Sequence, residues 1–188
     1  MKRVLIAAIV GGLIVFVVSA VTHMFTPLGT AGMKLIPNED PVIEVLRTNL
    51  TESKVYFFPG MNMQQEPTPA EQKAWEDKVR RGPSGMIIYT ANGVEPAFPK
   101  QLGIEFLTVV LSCFVAAWVL SRVVGSYASR AIIVALFALF AFLSISASHW
   151  NWYAFPPAFV LAEAVGEVVA YLLAGLAIAR IVPPPATA

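Results

Sequence analysis

Four apolar runs, residues 4–22, 102–120, 131–147 and 158–182, constrain this chain more than anything else in it. At 1.5 Å per residue, each is long enough to cross a hydrocarbon core of about 30 Å as a helix. The expected fold is an all-α integral membrane protein, a four-transmembrane-helix bundle. Residues 23–101 form a small extracytoplasmic α+β insertion between the first two helices, and residues 183–188 a short cytoplasmic tail after Pro183-Pro184-Pro185. The flanking charges predict the topology. Lys2 and Arg3 precede the first run, Arg122 and Arg130 bracket the link between the second and third, and Arg180 closes the fourth. By the positive-inside rule both termini are cytoplasmic and the long loop faces outside. The first run also has the outline of a signal peptide, ending in Val18-Ser19-Ala20. Its length favours a retained anchor.

Composition removes several function classes. Charged residues make up 13 % and hydrophobic ones 57 %, whereas about a quarter of a soluble domain is charged. A net charge of +1 with both signs interspersed offers no basic face, so no nucleic-acid partner is expected; the bilayer is the expected partner. The lone Cys113 lies inside an apolar run, which leaves no internal disulfide and no Cys-x-x-Cys chemistry. Ser-His-Asp, His-Glu-x-x-His and nucleotide-loop patterns are missing, and Gly82-Pro83-Ser84-Gly85 is a tight loop without phosphate-cradle spacing. Asn49-Leu50-Thr51 is a glycosylation sequon that matters only in a eukaryotic secretory pathway. The compact, loop-poor design points to a bacterial inner membrane.

The insertion carries good local signals. Asp40-Pro41 reads as an N-cap followed by a first-turn proline, with Val42, Ile43, Leu46 and Leu50 as a buried stripe. Thr68-Pro69-Ala70-Glu71 reads as a capping box opening a helix to Arg81, anchored by Trp75 and Val79. Residues 55–58 and 86–89 read as short strands, and Asn92-Gly93 as a turn. So small a unit buries little by itself, and a lid on the helix bundle is the expected arrangement.

Glu163 and Glu167 are the sharpest chemical signal. Four residues apart, they share one helix face. Counted from Pro157 they lie ~9 Å and ~15 Å into the membrane. An ionised carboxylate at such depth costs about 2.5–3.5 kcal/mol, so each finds a partner or is held neutral. No Lys or Arg lies at comparable depth; Ser19, Ser112, Tyr171, a cation, water or another subunit are the candidate partners. One reading is a proton, cation or ligand site. The other is a pair of hydrogen-bonded acids gluing helices together, supported by the ladder Ala158, Ala162, Gly166, Ala170, Ala174 on the same helix.

A second constellation follows from depth. His23, Glu105, His149 and Glu163 all fall near the outer boundary, a ligand set suited to a divalent transition metal, with haem between the two histidines as a further alternative. Trp150, Trp152 and Tyr153 read as an interfacial aromatic belt or, alternatively, as the lining of a lipid-sized pocket. Met61 and Met63 hint at soft-metal capture. Taken together, the sequence predicts a non-enzymatic membrane protein without a cofactor, an accessory subunit or self-assembling homo-oligomer. A small transporter or lipophilic-ligand-binding protein using Glu163 and Glu167 is the alternative, and a metal-dependent membrane enzyme at the outer boundary a second one.

Overall fold

The structure, a computed structural model, describes residues 1–62 and 64–186. It divides into two compact units, Met1–Lys34 with Ala97–Ala188, and Leu35–Pro96. In the first unit α1 spans Lys2–Phe25 and is followed by a 3-10 turn, Pro27–Thr30. In the second, α2 (Glu39–Asn49), β1 (Lys54–Phe58), α3 (Pro69–Arg81) and β2 (Gly85–Tyr89) follow in order. The chain then returns to the first unit through α4 (Phe98–Leu120), α5 (Tyr127–Ala141), a π-helical turn (Phe142–Ser146), α6 (Ala147–Tyr153) and α7 (Pro157–Ile181). Among the described residues, four helical stretches are long and apolar enough to cross a membrane: α1, α4, the continuous Tyr127–Tyr153 and α7.

The second unit is a two-stranded antiparallel sheet with two helices, α3 lying in the connection between the strands, and with Tyr56 opposite Ile87 and Val55 opposite Ile88. The capping box is present in full. Thr68 Oγ1 accepts from the Glu71 backbone N–H, and Glu71 Oε2 accepts from the Thr68 N–H at 2.9 Å. Those bonds favour the anionic form and hold the Glu71 carboxyl below the usual carboxylate range. Trp75 Nε1 donates to the Pro59 carbonyl at 3.0 Å and ties α3 to the end of β1. Two expectations need correction. Helix α2 begins at Glu39 after Asn38, so Asp40 sits in its first turn and is not the N-cap. Its apolar stripe is not buried either: Val42 and Ile43 are exposed, and Leu46 and Leu50 are half-buried, because a two-stranded sheet with two helices has too little interior. Met63, and with it the proposed methionine pair, lies outside the described residues, as does the end of the tail.

In the first unit the helices form a row in the order α5, α7, α1, α4, each packed on the next, while α4 and α5 barely touch. Two ends of this bundle are distinguishable. The terminal end carries Met1, the link 121–126 and Ile181; the insertion end is where α1 stops and α4 starts. The core clusters toward the terminal end, where Ala116, Ala117, Ala131, Ala170 and Ala174 lock together with Val15, Leu120 and Ile178. Small residues let backbones approach closely. A Cβ on Gly12 would stand 2.8 Å from Val110 Cα, and one on Gly175 would stand 2.5 Å from the Ala131 carbonyl oxygen. The small-residue ladder of α7 is therefore used within this chain's own bundle, with Ala162, Ala170 and Ala174 buried.

Arg130 reads in the sequence as a flanking charge, yet its side chain is 2 % exposed. Its guanidinium donates to the Leu120 carbonyl at 2.8 Å and to the Ala179 carbonyl at 3.4 Å. Both acceptors lie in the last turns of helices, where carbonyls lack intrahelical partners and the dipole favours a cation. One side chain on α5 thus clamps the ends of α4 and α7.

Candidate functional site: a cavity between the helices

Toward the insertion end the packing gives way to a cavity of about 970 Å³. All four helices of the row contribute to its wall, α1 with Phe16, Ser19 and His23, α4 with Glu105 and Ser112, and α7 with Glu163, Glu167 and Tyr171. The α5 side, including the π turn, supplies Phe137, Phe140, Phe142 and Ile145. Spacing explains the α7 face: Phe159, Glu163, Gly166 and Glu167 follow the i, i+4, i+7, i+8 pattern of one stripe. Gly166 keeps that stripe low, since a Cβ there would stand 3.3 Å from Thr22 Cγ2. Glu163 and Glu167 are exposed because they border open space and not packed side chains.

The three carboxylates, Glu105, Glu163 and Glu167, share the cavity wall. Glu167 lies within Coulombic reach of Glu105, Glu163 and His23, and Glu163 within reach of His23 and His149. Among the described residues none of the three accepts a hydrogen bond or forms an ion pair; the ion pairs present all belong to the second unit. The candidate partners Ser19, Ser112 and Tyr171 do line the same cavity. Ser112 Oγ, however, donates to the Thr108 carbonyl at 3.0 Å, and His23 shares a 2.9 Å hydrogen bond between Nδ1 and the Ser19 carbonyl. Because a carbonyl only accepts, His23 carries its proton on Nδ1 and keeps Nε2 for another partner.

Of the four residues placed together by depth, His23, Glu105 and Glu163 share the cavity wall and His149 does not. The imidazole of His149 stacks on Phe155 at 5.3 Å and lies 5.8 Å from the Tyr153 ring. Among the described residues no group of three His, Cys, Asp or Glu side chains could hold a metal ion. Glu105 sits two turns inside α4, which starts at Phe98 and not at residue 102, because Pro99 is accommodated in the first helical turn. Trp150, Trp152 and Tyr153 are helical, not part of a link, and none of them lines the cavity. The phenylalanines that do line it on the α5 side escaped the sequence reading. Their i, i+3 spacing at Phe137 and Phe140 was the available signal, hidden in an apolar run where any face looks alike.

Chemically, the wall combines a long apolar and aromatic surface with three carboxylates and one imidazole. No family of known proteins, no curated protein and no solved structure matches the chain.

Proposed function

We propose that this is a non-enzymatic, multi-pass protein of a bacterial inner membrane that binds a lipophilic ligand inside its helix bundle, with both termini cytoplasmic and residues 23–101 outside. The observation that carries the reading is the cavity of about 970 Å³ reaching Glu167. Its size falls in the range of small-molecule sites, about 300–1,000 Å³. Its aromatic and aliphatic walls with a few polar groups have the composition such sites share. The outward faces of the helices, among them Leu5, Ile9, Leu13 and Val17 on α1, are apolar and suit a lipid surround. Packing alone accounts less well for Glu163 and Glu167, because helix-gluing acids hydrogen-bond across an interface and these do not.

Native mass spectrometry of protein extracted gently from its membrane tests the reading. The expected result is a non-covalent adduct of a few hundred daltons that Ala20→Phe, which projects a ring into the cavity, removes with little change in the unfolding temperature. Protein that carries no adduct and takes up no added lipophilic compound overturns it. Topology is tested separately: Lys100→Cys should react with an impermeant thiol reagent from the outside only.

A further inference from the structure

We propose that the ligand is an amphipathic organic cation, held with its charge among Glu105, Glu163 and Glu167 and its apolar body against the phenylalanines of α1 and α5. The inference rests on the cavity being a binding site and adds the ligand's charge and shape. It starts from a charge imbalance. The wall carries three carboxylates and no Lys or Arg. Carboxylates that accept no hydrogen bond from the protein in a low-dielectric site need a compensating cation or a proton. An anionic ligand would add to the imbalance, and a neutral one would leave it untouched.

Geometry narrows the cation. A small metal ion requires oxygen or nitrogen donors converging at about 2.0–2.6 Å, and no three acidic, histidine or cysteine side chains among the described residues do so. A cation whose charge is spread over carbon needs no such convergence. It gains from carboxylates several ångströms away and from aromatic faces, which attract cations within about 6 Å of the ring centroid. Phe16, Phe137, Phe140 and Phe142 supply those faces, and the volume leaves room for a body far larger than an ion. The carboxylates all come from α4 and α7, whereas α5 and its π turn bring rings and no charge, so one side of the wall is purely apolar and aromatic. An amphipathic cation matches that division.

The route of entry follows from the row of helices. The α5–α7, α7–α1 and α1–α4 seams are packed, whereas the α4–α5 seam is not. Val115 and Phe140, from the two sides of that seam, border the cavity and are exposed. A lipophilic cation dissolved in the surrounding lipid therefore enters sideways between α4 and α5.

Two probes of equal size and opposite charge provide the test. Purified full-length protein in detergent is equilibrated with labelled tetraphenylphosphonium and, separately, with tetraphenylborate. Tetraphenylphosphonium should bind saturably and at least tenfold more tightly than the borate. Glu163→Gln and Glu167→Gln should each cut that preference at least fivefold while the unfolding temperature holds. The preference should also shrink at acid pH, because protons compete with the cation for Glu163 and Glu167; the other titratable groups facing these two are His23 on α1, Glu105 on α4, His149 on α6 and Tyr171 on α7. Equal binding of both probes overturns the charge assignment and leaves lipophilic binding standing. Binding of neither probe overturns the charge assignment too, and the native adduct then decides whether the cavity binds anything at all.

Discussion

The two halves of the helix row are built from the same apolar alphabet and behave as different materials. At the terminal end, alanines and glycines bring α1, α4, α5 and α7 together with fully buried Ala117, Ala170 and Ala174 and with Arg130 closing the helix ends. At the insertion end phenylalanines and carboxylates hold the same helices apart around open space. Helix association in lipid has no hydrophobic drive and depends on close packing and interhelical hydrogen bonds. The closed half therefore supplies the cohesion, and the open half is free to carry a site that adds little to stability.

Placing the same substitution in both halves is the most direct way to break this contrast. Ala170→Phe forces a ring into the packed half and should cost about 3 kcal/mol or more, abolishing a folded bundle. Ala20→Phe in the cavity wall should cost under about 1 kcal/mol; thermal unfolding in detergent compares them, and equal losses would end the distinction. Gly175→Val should approach the Ala170→Phe effect, since its Cβ meets the Ala131 backbone oxygen. Next comes Arg130→Met, which keeps the apolar bulk and removes both carbonyl contacts, for an expected loss of about 2 kcal/mol. A melting curve unchanged by Arg130→Met would show that the clamp does not hold α4 and α7. The smallest effects belong to the acids. Glu167→Gln and Glu167→Leu should each shift stability by under about 0.5 kcal/mol, because no hydrogen bond is lost. A bundle loosened by Glu167→Leu and not by Glu167→Gln would instead favour the acid as helix glue.

The four helices were legible because about eighteen apolar residues in a row have few other uses. Their ends were less so. Hydropathy closes the third run at residue 147, where serines accumulate, but the helix continues through a π turn to Tyr153. A π bulge adds one residue to the turn, and one residue is about 100° of helix phase. No wheel drawn on sequence alone carries a face across it, and His149, beyond the bulge, packs on Phe155 and does not line the cavity. Glu163 and Glu167 were legible from spacing within one regular helix, and Glu105 and His23 from depth. Arg130 was not, since a charge at the end of a run looks the same whether it reaches out to water or inward to two helix ends. The insertion's two strands and its capping box were legible because those signals are local, whereas the pairing of the strands across α3 and the burial of the α2 stripe depend on contacts distant in sequence.

The row order has a consequence for how the molecule comes into being. The two helices joined by the short link 121–126, α4 and α5, are the pair that fails to pack, and α1, the first to be synthesised, is sandwiched between α4 and α7. A helical hairpin formed from α4 and α5 alone gains little packing. Helix α1 is made well before its neighbours α4 and α7, and only α7 brings α5 into the row. Assembly of this bundle is therefore a late and cooperative event, dominated by contacts distant in sequence, and a chain interrupted before α7 has an unclosed row.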